Sequence, residues 1–234
     1  MKAIVLAAGK GTRMRPLTET MPKPLVPVAG KPILEHIITR LPEVVDELIV
    51  IVGYKGEMIQ KYFGDNFLGR KITYITQEKQ EGTYKALELA RPHLTPGERF
   101  YVLYADDLHG AEGIRRCLEH PRSALVAEVD DPRPFGVIEH DEKGNIVNIV
   151  EKPENPKTNI VSAAVFVLDS SIFDYPPERH PNGEYYIPDA VRKMIPTHPV
   201  SVVKASYWKM MSCPADVEDA ERMFVTENLH EKLA

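Results

Sequence analysis

Between Leu6 and Met14 the chain reads Leu-Ala-Ala-Gly-Lys-Gly-Thr-Arg-Met. Glycine at positions 9 and 11 removes the Cβ atoms that would keep backbone N–H groups away from a phosphate oxygen. Residues 1–31 hold six basic residues (Lys2, Lys10, Arg13, Arg15, Lys23, Lys31) against one acid, Glu19, so this segment is +5 in a chain of net charge -5. Cations gathered beside a Gly-rich loop suit a small polyanionic ligand. Pro22 and Pro24 restrict the backbone on both sides of Lys23. They would hold its ammonium in place, useful where charge develops on transferred phosphate oxygens. The spacing excludes two familiar phosphate loops. The third glycine of a dinucleotide fingerprint would fall at Met14, and no Gly-Lys-Ser/Thr follows at Walker spacing. A Gly-x-Gly alone is equally a tight turn after a strand, and a lone Lys23 a solvated loop lysine. A turn does not need the further cations or the Pro-Lys-Pro.

The elements that must position these residues alternate strand, loop and helix. AIVLAA is a short continuous apolar run, as in a strand buried on both faces. Residues 9–30 are rich in Gly and Pro and predict a long loop with little helix. From Pro32, the positions Ile33, Leu34, Ile37, Ile38 and Leu41 have helical spacing. ELIVIVG predicts a second buried strand, Lys55–Phe63 a short helix and KITYITQ a strand. Thr83–Ala90 reads as helix, and FYVLYADD as a central strand ending in two acids. This alternation predicts an α/β fold with a mostly parallel sheet. Later, SALVAEV predicts a strand, FGVIEH and NIVNIVE a hairpin around Gly144, NIVSAAVFVL a longer strand, and SVVKA a late one. Residues 170–188 read as a surface loop. Pro214 is well placed to start a last helix carrying Val217, Ala220 and Phe224. No linker separates two domains, so the expectation is one domain over 1–234, with an α/β core at 1–130 and a β-rich lid and C-terminal helix in 131–234.

With 234 residues, 43% hydrophobic and 27% charged, the chain can bury a substantial core and is not of disordered composition. The net charge argues against a general nucleic-acid surface. Cys117 and Cys213 are too few for a disulfide framework, which makes a reducing cytoplasm the expected compartment. No apolar run approaches the ~20 residues that span a bilayer, and the N-terminus does not read as a signal peptide.

The stretches Leu6–Thr18 and Pro22–Glu35 resemble the signature of the sugar-1-phosphate nucleotidylyltransferases, LAAGxGTRMxPLT followed by PKPLxPVxxKPxxE. Further matches cover most of the chain: Gln77 with Gly82-Thr83, Ala105-Asp106 where the family has Gly-Asp, Phe135-Gly136-Val137, Glu151-Lys152-Pro153 and Gly183-Glu184-Tyr185-Tyr186. The resemblance is to a single-domain member without the repeated-hexapeptide β-helix that some members append. It implies a Rossmann-like twisted sheet with helices on both faces, an enzyme, and transfer of a nucleotidyl group from an NTP to a sugar 1-phosphate with release of pyrophosphate. Those two substrates are the implied partners, without nucleic acid or membrane, and self-association is left open.

The resemblance also implies roles. The loop of Leu6, Ala8, Gly9, Gly11 and Thr12 would hold the triphosphate. Arg13 would neutralise the leaving pyrophosphate, and Lys23 the α-phosphate. Gln77, Gly82 and Thr83 would read the base, their spacing favouring UTP or dTTP; Gln77 both donates and accepts, which suits a pyrimidine edge. Lys152 would hold the sugar phosphate, with Gly136, Glu151 and Glu184 on the sugar side. Asp106, at the end of a central strand, would bind Mg²⁺, which takes carboxylate, phosphate and water oxygens. Adjacent strand residues point oppositely, so Asp107 is not expected to join it.

The chain departs from the pattern where the family has W-x-D-x-G-T-P. Met210 stands at the Asp position and Ser212 at the Gly, and a thioether is a poor Mg²⁺ ligand. Ala105 and Ala164 replace glycines and would narrow the site. Three readings follow: Mg²⁺ held by Asp106 with phosphates and water, substitution by another acid such as Asp216, or a catalytically weakened homologue that binds nucleotide sugar and regulates a partner. A choline-phosphate cytidylyltransferase shares the N-terminal loop and would need an aromatic box for a quaternary ammonium, for which Tyr185, Tyr186 and Trp208 are candidates.

Overall fold

A computed structural model describes residues 1–226. Strands β1 (Lys2–Ala7), β2 (Glu47–Val52), β3 (Arg70–Thr76) and β4 (Arg99–Tyr104) lie parallel in the order β3-β2-β1-β4. The apolar runs of β1, β2 and β4 are nearly all buried, as parallel strands covered on both faces require, whereas β3 buries only Ile72. Along β1 the alternation is strict. Ala3, Val5 and Ala7 pack on the face carrying α1 (Ile33–Thr39) and α2 (Gly56–Phe63), while Ile4 and Leu6 pack toward α3 (Thr83–Glu88).

β4 stops at Tyr104. Ala105 and Asp106 form a turn, and Asp107 opens a separate short strand, β5 (Asp107–His109), followed by α4 (Ala111–Arg116). The strands β6 (Ser123–Glu128), β7 (Gly136–His140), β8 (Ile146–Glu151), β9 (Ile160–Asp169) and β10 (Ser201–Lys204) continue the first sheet, with β9 antiparallel to β4 and the β7–β8 hairpin beyond it. The expected β-rich lid is thus an extension of the central sheet. Helix α5 (Ile187–Met194) covers this part on the α3 face, and β11 (Trp208–Met210) pairs antiparallel with β5 before α6 (Pro214–Thr226) closes the other face.

The predicted helices all form, and so do the predicted strands apart from the run FYVLYADD. Three expectations change. Residues 9–30 contain three short helical turns, Thr12–Met14, Leu17–Thr20 and Lys23–Leu25. The stretch FYVLYADD is two strands broken at Ala105–Asp106. Residues 170–188 include a helical turn at Ser170–Asp174 and the start of α5.

Phe166 of β9 is fully buried, opposite Val102 of β4 and Ala124 of β6. Phe166→Ala should cost about 3–5 kcal/mol through lost burial and the cavity left behind. A urea midpoint that falls at unchanged slope is the expected signature.

Candidate active site

The order β3-β2-β1-β4 leaves a crevice at the carboxyl ends of β1 and β4, where open α/β sheets bind ligands. A cavity of about 560 Å³ opens there. One rim is the loop after β1, the other the open end of the β7–β8 hairpin, away from its turn, with the segment before α5.

The loop after β1 is shaped by Gly11, which has a left-handed backbone (φ +59) and caps the turn Thr12–Met14. A Cβ here would sit 3.0 Å from the Lys23 Cβ and 3.1 Å from the Thr18 Cγ2. Glycine therefore lets the loop close onto the Lys23 stem, and the Thr18 hydroxyl donates to the Gly11 carbonyl at 2.8 Å. Arg13, exposed, lines the cavity; Lys23 is 8% exposed, and its ammonium donates to the Asp106 carboxylate at 2.9 Å. Lys23 is therefore not a solvated loop lysine: between Pro22 and Pro24 it turns inward, and Asp106 supplies its counter-charge.

The two acids after β4 separate. Asp106 lines the cavity with its side chain 40% exposed. Asp107 is buried; it accepts from Trp208 Nε1 at 3.0 Å and from the Met211 amide at 3.1 Å, which fastens β11 to β5. Burial and the neighbouring Asp106 push the Asp107 carboxyl well above the usual range. The break in the strand, rather than strand alternation, sends the two carboxylates apart. Met210 lies opposite Asp107 across the ribbon and lines the cavity. Asp216 does not replace the missing acid: its carboxylate accepts from the Ser212 amide and hydroxyl and the Cys213 amide at 2.6–2.9 Å, fixing the start of α6.

Among the residues expected to read the base, Gln77 is buried, its amide 3.4 Å from the Gly82 carbonyl. Thr83 accepts from the Ile187 amide at 3.1 Å. Gln80, which has no periodic or motif signal, also lines the cavity and donates to the Ala8 carbonyl at 2.8 Å, tying the two loops together.

On the opposite side, Lys152 has a left-handed backbone (φ +47), held by its amide's bond to the Phe135 carbonyl at 2.9 Å. Its ammonium lies 3.3 Å from Glu151 and 4.9 Å from the Tyr186 ring centre. Burial would lower the Lys152 pKa, but Glu151, Tyr186 and Glu184 outweigh it and raise it; burial raises that of Glu151. Glu184 accepts from the Tyr186 hydroxyl and from Asn182. Gly136 leaves room for Glu151, whose Oε2 would lie 3.3 Å from a Cβ placed there. Ala164 takes a left-handed backbone (φ +58), and it and Ala105 add methyl groups to the wall. The structure thus brings Leu6, Ala8, Gly9, Gly11, Thr12, Arg13, Lys23, Gln77, Gly82, Thr83, Asp106, Gly136, Glu151, Lys152 and Glu184 to one cavity. The aromatic box does not form among these residues: Tyr186 carries Lys152, Trp208 packs edge-on against Phe135, and Tyr185 is capped by Lys85 outside the cavity lining.

Fold and site together define an α/β protein with one open cleft, the Gly9–Arg13 loop and Lys23 at one end and Lys152 at the other. The chain belongs to the Nucleotidyl transferase family, whose profile matches residues 2–211. It is 36% identical over 225 residues to the bifunctional protein GlmU of Methanocaldococcus jannaschii, covering 95% of this chain and 54% of that one, so it spans about half the length of that relative. It is 35% identical to the UTP–glucose-1-phosphate uridylyltransferase AglF of Haloferax volcanii, covering 97% of this chain and 98% of that one. A solved UDP-glucose pyrophosphorylase complexed with UDP-glucose shares the fold, with TM-score 0.82 and 21% identity over 97% of this chain and 98% of that one. No helix among the described residues is long and apolar enough to cross a membrane.

Proposed function

We propose that the chain transfers a uridylyl or thymidylyl group from an NTP to a sugar 1-phosphate. A sugar-phosphate oxygen forms a bond to the α-phosphorus as the bond from that phosphorus to the pyrophosphate oxygen breaks. The observation that carries this reading is the Lys23–Asp106 pair at 2.9 Å, lying in the same cavity as the Gly9–Arg13 loop and Lys152. No side chain has to become covalently bound, so the protein's part is positioning and neutralising charge. The Gly9–Arg13 loop binds the triphosphate. Arg13 offsets charge on the departing pyrophosphate, and Lys23 offsets charge on the α-phosphate oxygens. Lys152 orients the sugar phosphate.

The donor set fits Mg²⁺ held by a single protein carboxylate. Asp106 and Asp107 both line the cavity, but Asp107 is buried and holds Trp208 and Met211, and Asp216 holds the start of α6. Among the described residues no group of three or more His, Cys, Asp or Glu stands ready for a metal, so phosphate and water oxygens would complete the sphere. When bound, Mg²⁺ supplies charge neutralisation on the phosphates. A cytoplasmic enzyme working on soluble substrates is the matching setting.

The test is a matrix of NTPs against sugar 1-phosphates, with phosphocholine as one acceptor, followed by pyrophosphate release in Mg²⁺. Release with UTP or dTTP and a sugar phosphate is expected. Release only with CTP and phosphocholine would replace this reading. Met210 favours a second one, a nucleotide-sugar-binding regulator; it predicts binding without pyrophosphate from any pair. Base selection has its own check. Gln77→Ala should relax discrimination between pyrimidine and purine NTPs, because an unpaired edge no longer penalises the wrong base. An unaltered NTP profile would assign discrimination to backbone groups near Gly82.

A further inference from the structure

The base-side loop and the sugar-side segment are joined by a backbone clamp between residues about a hundred positions apart. The Tyr185 amide donates to the Glu81 carbonyl at 2.8 Å, and the Tyr84 amide donates to the Tyr185 carbonyl at 2.9 Å. The Ile187 amide, two residues on, donates to the Thr83 hydroxyl at 3.1 Å. Gly82 lies inside this clamp with φ +96. A Cβ there would fall 2.6 Å from the Tyr185 nitrogen, closer still to its oxygen, and 3.0 Å from the Glu184 Cβ. Those first two neighbours are backbone atoms with no rotamer to change. Both the conformation and the space at position 82 therefore require glycine.

The residues flanking Tyr185 are those that face the sugar end. Glu184 and Tyr186 both line the cavity, and the Tyr186 hydroxyl donates to the Glu184 carboxylate. Tyr186 also carries the Lys152 ammonium on its ring. Position 185 itself is outside the lining, held by Lys85 on its ring face. The clamp thus fixes the backbone on which both sugar-side groups hang. It does so from the loop that bears Gln77.

We infer that Gly82 is a positioning residue for the sugar 1-phosphate end of the site, acting through the Tyr185 backbone, in addition to any contact with the nucleotide. The inference rests on the proposed nucleotidyl transfer. A side chain at position 82 displaces Tyr185, and with it Glu184, Tyr186 and the ring that holds Lys152. Misplacing a binding group by about 1 Å is enough to cost up to ~10²-fold.

Calorimetric titration of the whole chain with glucose 1-phosphate alone and with UTP alone, in Mg²⁺, separates the possibilities. Gly82→Ala is expected to weaken glucose 1-phosphate about tenfold or more in the absence of any nucleotide. A purely local role at the base predicts weaker UTP with glucose 1-phosphate unchanged, and that result would overturn the inference. A wild-type chain that binds neither ligand would remove the proposed function and this inference with it. Hydrogen exchange on the unmutated chain gives a second readout that needs no variant to fold. UTP alone should slow exchange across residues 181–187 through the Tyr185 amide as well as across 77–84. Protection confined to 8–13 and 77–84 overturns the coupling.

Discussion

Replacing Arg13 or Lys23 by alanine should lower kcat/KM by about 10²-fold or more, the usual scale for losing one preorganised donor at developing charge. The two variants should differ in their side effects. Arg13 is exposed at the cavity mouth, so Arg13→Ala should leave the urea midpoint unchanged. Lys23 packs its stem against Gly11 and its ammonium on Asp106, so Lys23→Ala should also cost about 1 kcal/mol of stability. Lys23→Met keeps most of the stem and removes only the charge. It should recover the midpoint while turnover stays low. Near-normal turnover in Lys23→Met would take the ammonium out of the mechanism, whatever Lys23→Ala does. Steady-state kinetics on folded protein, with urea melts alongside, make the comparison.

The parts of this molecule that sequence makes legible are those with a local physical cause. The buried run of β1 and the Gly-rich turn after it are set by residues within a few positions of one another. So is the Pro-Lys-Pro that turns Lys23 inward. The helical spacing of α1 and α6 is equally local. What stays hidden depends on long-range partners. Helix α4 carries one buried large apolar side chain, Ile114, and a Gly inside its turns, so it has no periodic signature. Strand β11 has three residues and exists because Asp107 reaches across to Trp208 and Met211. Gly82 looks in sequence like a residue that admits a base. In the fold its missing Cβ is first of all space for the Tyr185 backbone. The resemblance named the residues of the site, but their partners came from packing. Asp106 and Asp107 are adjacent in sequence, and one meets Lys23 in the cavity while the other holds a strand.

Asp106→Ala should abolish Mg²⁺-dependent transfer, since the triphosphate carries more charge than Arg13 and Lys23 can neutralise alone. The same substitution leaves Lys23 without its counter-ion, so a loss of activity could have two origins. Asp106→Asn separates them: it keeps the size and a hydrogen-bond acceptor for Lys23 but offers a cation a neutral oxygen. If the carboxylate serves the metal, Asp106→Asn should be nearly as inactive as Asp106→Ala, and raised Mg²⁺ should recover part of the rate. If it serves only to place Lys23, Asp106→Asn should stay close to wild type. Met210 sharpens the test. With Asp106 as the one carboxylate assigned to the metal, Mg²⁺ should bind the free protein weakly and become appreciable only when NTP or nucleotide sugar brings its own oxygens. Met210→Asp places a second carboxylate on β11, opposite Asp107 and at the cavity wall. It should tighten Mg²⁺ in the ternary complex and lower the Mg²⁺ concentration that gives half-maximal rate. The regulator reading predicts the reverse order of events: no pyrophosphate from wild type with any substrate pair, and activity appearing first in Met210→Asp. Full turnover in both wild type and Asp106→Ala would show that the assignment of Asp106 to the metal is wrong.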